Sequence, residues 1–345
     1  MDSCENVIVG AGPAGLRAAQ VLAQAGREVL VVERNERIGP KTCAGGLTIK
    51  AVEELEQLGL PSHVGRTTVA RLSFFDEEPL RLDAAPGIVR TVSRAVLGRY
   101  QACWARTAGA EIVTGTPVTE LNLEARTLRV DDRAIRYTHL IGADGSSSRV
   151  RRALGLPFRR AVFAGEFNVR GASAGDLRVM FDSDVLGPGY FWVFPHTDYV
   201  SFGAGGPIAL LKPGQVRPYI EKRLASFGVD PSSTAFEGAT IETDFRGLAF
   251  SRGVYLAGDA AGLASGLTGE GIYSALVSGE EVAQQILQPG YRPVKTLAWL
   301  RVKRLHEALA RLWHKRAPRN VSLHLLRAMS RVDPLQAKLT SLFLG

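Results

Sequence analysis

The chain has 345 residues, 46% of them apolar and 22% charged, with 37 glycines, 17 prolines and a formal net charge of +8. That length suits about two domains, and the composition excludes both a disordered chain and a multi-span membrane protein, which would need apolar runs of about 18 residues or more. Ten of the 42 Lys/Arg but only Glu307 and Asp333 of the 34 Asp/Glu follow position 300, so the first 300 residues carry 32 of each sign and the basic character belongs to the tail alone.

Val7-Ile8-Val9 reads as a buried strand, followed by Gly10-Ala11-Gly12-Pro13-Ala14-Gly15, an apolar helix over Leu16 to Ala25 and a second buried strand over Glu28 to Val32 ending on Glu33. This is G-x-G-x-x-G between a strand and a helix, with an acid 23 residues past the first glycine. Gly10 permits the tight turn, Gly12 lets a pyrophosphate approach the backbone, and Gly15 lets helix and strand pack closely. The helix N-terminus turns free N–H groups towards phosphate, and Glu33 would accept from ribose hydroxyls. The pattern predicts a dinucleotide site; the competing reading is a glycine-rich turn that merely packs two elements.

Further along, a helix capped by Ser93 is expected to run through to Gly109. His139-Leu140-Ile141-Gly142-Ala143-Asp144-Gly145 and Val254-Tyr255-Leu256-Ala257-Gly258-Asp259 are strands ending in Asp-Gly and Gly-Asp turns. With the first fingerprint, these motifs resemble, in the same order, those of the p-hydroxybenzoate-hydroxylase-like flavoproteins, which implies FAD as the cofactor. The resemblance implies that Asp259 bonds the ribityl chain, and that Gly269-Glu270-Gly271-Ile272 aims backbone N–H groups at the flavin pyrimidine edge. A helix N-terminus there would stabilise the negative charge of a reduced flavin. It also places Ala14, Arg34, Asp144 and Arg94 near the cofactor and Val118 on the adenine side; from the residues alone, Arg94 serves equally well as a surface residue. Gly203-Ala204-Gly205-Gly206 is followed by Pro207 rather than a helix, so no second nucleotide unit is expected. A reductant such as NAD(P)H or a ferredoxin-like donor would come from outside.

Between Leu156 and Phe245 the pattern is strand-rich: Phe163 to Arg170, Leu177 to Phe181, Tyr190 to Phe194, Tyr199 to Ala204 and Thr240 to Phe245, with one helix over Gln215 to Phe227. The loop Lys41-Thr42-Cys43-Ala44-Gly45-Gly46-Leu47 and the pair Tyr190-x-Trp192-x-Phe194-Pro195…Gly203-x-Gly205 are similar to the geranylgeranyl reductase family, over residues 5–290. That resemblance implies FAD-dependent reduction of isolated C=C bonds in a prenyl-type substrate. It places Cys43, Ala44 and Gly46 at the flavin and makes Cys43, Tyr190 and Trp192 the catalytic candidates. Alternation along a strand puts Tyr190, Trp192 and Phe194 on one face, which suits an apolar channel or, equally, a plain core. Cys43 is either a thiol that helps place or protonate substrate or an inert buried residue. Ala44 departs from the family's usual glycine, and its methyl would tighten the pocket. The alternative activity is a flavin monooxygenase, hydroxylase- or halogenase-like, acting on an aromatic or apolar small molecule.

The expected fold is α/β: a Rossmann-like FAD-binding domain from residues 1–70, 91–155 and 246–292, an inserted antiparallel β-sheet substrate domain from 71–90 and 156–245, and basic C-terminal helices over 293–345. In that tail Val302, Leu305, Ala308, Leu309 and Leu312 recur at helical spacing up to a break at Pro318. Val321, Leu325, Leu326, Met329 and Val332 begin a second helix. With Trp299 and Trp313, the pair reads either as a cap or as a surface for an anionic membrane; nucleic acid is not expected, because no reading motif accompanies the charge. Cys4, Cys43 and Cys103 are widely spaced, which points to neither a disulfide framework nor a metal site. The polar first five residues carry no targeting pattern, so a cytoplasmic location, peripheral to the membrane under the second reading of the tail, is expected.

Overall fold

The computed structural model describes residues 2–68, 70–74, 80–82, 89–182, 184–211, 213–232, 234–329 and 332. Part of the expected sheet domain (75–79 and 83–88) and, Val332 apart, the basic tail after Met329 lie outside the described residues. Among those described, the helices are α1 (Pro13–Gln24), α2 (Ile49–Gln57), α3 (Arg94–Thr107), α4 (Arg149–Ala153), α5 (Pro213–Ser226), α6 (Ile272–Leu287), α7 (Val294–Leu312) and α8 (Arg316–Met329).

The nucleotide half is built on a sheet in the spatial order Glu111–Val113, Val29–Val32, Asp2–Val9, Arg133–Gly142, Thr127–Val130, Val118–Asn122, with Val254–Leu256 also paired to Arg133–Gly142. The central pairings are parallel, and Thr127–Val130 adds an antiparallel edge. Parallel strands are covered on both faces, which is why Val29–Val32 is buried at every residue. Pro13 opens α1, where its missing N–H costs nothing. Gly26, at φ 73°, ends it, with the Arg27 N–H returning to the Leu22 carbonyl. A Cβ on Gly279 of α6 would overlap the Ala14 backbone, so glycine lets α6 lie directly on α1.

The second large sheet runs Phe236–Glu242, Ala161–Arg170, Tyr199–Pro207, Tyr190–Pro195, Leu177–Phe181, Ala70–Phe74, Leu80–Leu82. It is antiparallel except where Ala70–Phe74 runs parallel to Leu177–Phe181. One face buries Phe167, Phe191, Val193 and Phe202 against Val216, Ile220 and Leu224 of α5. The other carries Tyr190, Trp192 and Phe194 into the cleft described below. A small sheet of Gly46–Leu47, Val89–Thr91 and Arg66–Thr68 bridges the two halves.

Three expectations are corrected. The strand expected over Thr240 to Phe245 is Phe236–Glu242. It begins where Phe236 packs on Phe167, and it stops because Asp244 turns to buried Arg151 (2.9 Å) while the Thr243 carbonyl accepts from Lys303 Nζ (2.6 Å). Pro318 does not break a helix; it lies in the first turn of α8, where proline is tolerated. Most consequential is the phase of α7. Its buried side is Thr296, Trp299, Leu300, Lys303, His306 and Ala310, so Leu305 and Leu312 face outward, and Trp299 and Trp313 (2% and 0% exposed) are core residues that offer nothing to a membrane. The amphipathic pattern misleads because the inward side carries a lysine and a histidine, each with its own polar partner.

Candidate flavin and substrate cleft

A cleft of about 1120 Å³ lies between the two large sheets. At its nucleotide end, Gly10 and Gly15 are closely filled: a Cβ on Gly10 would strike Ala143 and one on Gly15 would strike the Gly10 carbonyl. Gly12 differs, because a Cβ there would meet nothing within 4 Å, and its side opens into the cleft. Glu33 accepts from the Ala11 N–H (2.8 Å) through Oε2 and from the Asn35 N–H and Nδ2 (2.9 and 2.8 Å) through Oε1. A carboxylate offers about four acceptor positions, which leaves one for a ribose hydroxyl.

Asp144 caps the turn into α4, its Oδ2 accepting from the Arg149 N–H at 2.6 Å. Its Oδ1 is buried without a partner, as is Arg94 Nε, and both residues line the cleft. Burial pushes the Asp144 carboxyl above the usual carboxylate range. Lys41 pairs with Asp259 Oδ2 at 2.9 Å, while Asp259 Oδ1 lies 3.2 Å from where a Cβ on Gly271, the residue before α6, would sit. The open face at Gly12, the two unpartnered buried polar atoms and a helix N-terminus beside Asp259 all fit FAD, a long diphosphate with hydrogen-bonding groups along its length.

The sheet side supplies the other wall. Tyr190 donates to the Thr268 carbonyl (2.6 Å), which ties the strand to the 264–271 loop, and its ring meets Phe181 and Trp192 edge-on. Trp192 donates from Nε1 to Ser201 Oγ (3.0 Å), Ser201 donates to Glu166 Oε2 (2.8 Å), and Glu166 Oε1 accepts the Cys43 N–H (2.8 Å). Glu166 is 1% exposed, and burial raises its pKa. The register places Glu166 and Trp192 both opposite Gly203, and a Cβ on Gly203 would collide with the indole. The spacing from Trp192 to Gly203 thus has a steric reason: the ring lies over the glycine. The Ala44 carbonyl accepts from His196 Nε2 (2.9 Å), so that nitrogen carries the hydrogen, and burial lowers the imidazole pKa. Behind the 264–271 loop, Trp299 Nε1 donates to the Leu263 carbonyl (2.9 Å), Lys303 Nζ to the Ala264 carbonyl (2.7 Å), and His306 pairs with Ser265 Oγ (2.9 Å). α7 is therefore a clamp on that loop.

Residues 3–203 match the family model described as FAD binding domain. Menaquinone reductase of Mycolicibacterium smegmatis is 30% identical over 88% of this chain and 80% of its own length. Digeranylgeranylglycerophospholipid reductase 2 of Methanopyrus kandleri is 27% identical over 82% of this chain and 77% of its own. A solved geranylgeranyl bacteriochlorophyll reductase-like protein from Thermoplasma acidophilum shares the fold with a TM-score of 0.80 at 21% identity, over 95% of this chain and 91% of that one. The chain belongs to the geranylgeranyl reductase family of FAD-dependent oxidoreductases.

Of the site residues expected from sequence, Gly10, Gly12, Ala14, Glu33, Arg34, Cys43, Ala44, Gly46, Arg94, Val118, Asp144, Tyr190, Trp192, Asp259, Gly269, Gly271 and Ile272 all line this cleft. Gly15 does not; it is buried beneath the turn, in keeping with a packing role. The sequence motifs single out neither Glu166 nor His196. An acid within an apolar strand was the available signal for the first; nothing local marks the second, whose partner is 152 residues away. The motifs also give no role to Glu270, which accepts from Thr48 Oγ1 (2.9 Å) and whose pKa burial raises to about 7.

Two tests follow from this geometry. Gly12→Val should fold with the melting temperature of the flavin-free parent, because its φ of −81° suits any residue and the space is open, yet purify without bound flavin. A yellow, stoichiometrically loaded variant would contradict the site. Glu270 holds its proton more tightly folded than unfolded, so the stability it contributes is present below about pH 4 and is lost as pH rises to about 7. Urea unfolding of flavin-free protein across that window should show Glu270→Gln losing less stability than the parent, by an amount on the order of 2 kcal/mol. Parallel curves would show that Glu270 titrates alike in the folded and unfolded chain.

Proposed function

We propose that this chain is an FAD-dependent reductase that saturates C=C bonds of a polyprenyl, geranylgeranyl-type chain carried by a lipid, a quinone or a precursor. The observation that supports it most is the placement of the Tyr190–Trp192–Phe194 face and the Cys43 loop on one cleft with the dinucleotide turn. Reduced FAD, when bound, supplies the hydride that an unactivated alkene needs on one carbon, and the protein must supply the proton to the other.

Each wall has a share in this reading. Gly10, Gly12 and the start of α1 would hold the diphosphate, Glu33 the ribose, and Asp259 with the residues opening α6 the ribityl chain and pyrimidine edge. Leu177, Val179, Phe181, Leu267, Trp192 and Phe194 line an apolar passage that excludes water and orients an isoprenoid by shape. Tyr190, whose pKa burial raises, stays a neutral phenol held by the Thr268 carbonyl. Cys43 carries the transferable hydrogen on Sγ, and Glu166 and His196 fix its loop from either side of the thiol, through the Cys43 N–H and the Ala44 carbonyl. Gly203–Gly206 lies within the strand Tyr199–Pro207 rather than at a strand-to-helix turn. The proposed reductant is accordingly an external nicotinamide or ferredoxin-like donor that reaches the flavin without a second fingerprint.

Anaerobic, chemically reduced holoenzyme mixed with a geranylgeranyl lipid should be reoxidised by the alkene. Cys43→Ala should keep its flavin and lose the rate by about 10²-fold or more, the usual share of a positioned proton donor. Unchanged reoxidation in that variant would remove Cys43 from the mechanism. Reoxidation by oxygen alone, with hydroxylation of an aromatic acceptor, would replace the reductase reading with the monooxygenase one.

A further inference from the structure

Seven of the ten large apolar side chains exposed among the described residues fall between 294 and 332. Val294, Leu297, Leu305 and Leu312 lie on the outer side of α7, and Val321 and Leu325, 59% and 58% exposed, on that of α8. Arg301, Arg304, Arg311 and Lys315 are exposed between them. Between 294 and 329 the single acidic residue is Glu307, turned inward to Lys303 (2.9 Å) and Arg160 (3.2 Å); the acid that reaches α8 from elsewhere among the described residues is Asp184, paired with Arg316 at its first turn (2.7 Å). A helix that turns a lysine and a histidine inward while leaving leucines in water has an outer face that solvent alone does not account for.

We propose that the outer face of α7 and α8 docks on an anionic lipid bilayer. The leucines and valines would enter the boundary between headgroups and acyl chains, and the arginines, with apolar stems and charged tips, would meet the phosphates. The mixture of residue types selects this occupant. A second copy would bring the same net positive charge against itself. A nucleic acid would match the arginines but leave the interleaved leucines unsatisfied. No helix among the described residues is long and apolar enough to cross a membrane, so the contact is one of lying on the surface.

The inner side of the same helices gives the contact a use. Ala310, Trp313 and Leu323 form one apolar cluster with Leu267, and Phe181 and Leu326 pack on it; Leu267, Phe181 and Leu326 also line the cleft. The docking face and the apolar wall of the cleft are opposite sides of one helical pair, a short path for a lipid leaving the bilayer. Only that use rests on the proposed reaction; the docking itself rests on exposure and charge.

The test is flotation of the full-length holoenzyme with vesicles of phosphatidylcholine alone or mixed with phosphatidylglycerol. Binding is expected to the mixed vesicles, at least tenfold weaker to phosphatidylcholine alone, and reversible by salt. The triple variants Leu305→Ser/Leu312→Ser/Leu325→Ser and Arg301→Glu/Arg304→Glu/Arg311→Glu should each weaken binding at least tenfold. Both should keep the flavin spectrum, the melting temperature and turnover of detergent-dispersed substrate. No binding to mixed vesicles, or binding that either triple variant leaves intact, overturns the proposal. So does a dimer in sedimentation that the leucine variant abolishes, or DNA binding as tight as that to vesicles. Vesicle binding by an enzyme that reduces no prenyl substrate would count against the proposed reaction and leave the docking surface standing.

Discussion

The cleft depends on the buried carboxyl group of Glu166. Removing a carboxylate from water costs several kcal/mol unless donors replace the water, and here the Cys43 N–H and the Ser201 hydroxyl do so, with Trp192 completing the chain. Because those partners come from the loop that follows the strand Val29–Val32 of the nucleotide half and from two strands of the second sheet, one side chain joins both halves of the molecule at the place where a substrate would lie. Its raised pKa has the same origin as its structural value, since burial without enough donors would neutralise it. The loop it holds forms no helix or strand over residues 42–45, and its further ties are the His196 bond to the Ala44 carbonyl (2.9 Å) and the Val92 N–H bond to the Gly45 carbonyl (2.9 Å).

The C-terminal helices supply the matching constraint on the opposite wall. Lys303 is 1% exposed, and its ammonium group is satisfied by two carbonyls and Glu307 rather than by water. Together with Trp299 and His306 it fixes the loop that leads into α6. A long cation buried against backbone carbonyls is an expensive way to attach a helix, and it positions that loop by directed bonds where apolar packing alone would allow it to slide. The same choice forces the leucines of α7 outward, so the inner and outer faces of the helix have a common cause.

What could be read from the sequence was what rests on local rules. The dinucleotide turn follows from glycine sterics and from the order strand, turn, helix, and Ser93 caps α3 by accepting the Val96 N–H, as its position suggests. Strand alternation separated Tyr190, Trp192 and Phe194 from Phe191, which packs on the α5 side. What could not be read depends on partners distant in the chain. The end of the strand Phe236–Glu242 is set by Arg151 and Lys303, and the phase of α7 by carbonyls some 40 to 60 residues earlier. Amphipathic periodicity assumes that the apolar stripe faces inward, and it fails wherever the inward surface is polar. Glu166 was invisible for a related reason: a lone acid on a strand declares its role only once the strands on either side are placed.

The reaction proposed for the cleft is the addition of hydrogen across an isolated double bond. Mass spectrometry of a geranylgeranyl lipid recovered after anaerobic incubation with the holoenzyme and excess reductant measures this directly. The product should gain two hydrogens for each bond reduced and no oxygen. Lipid recovered at its starting mass, from an enzyme whose flavin was fully reduced throughout, would contradict it.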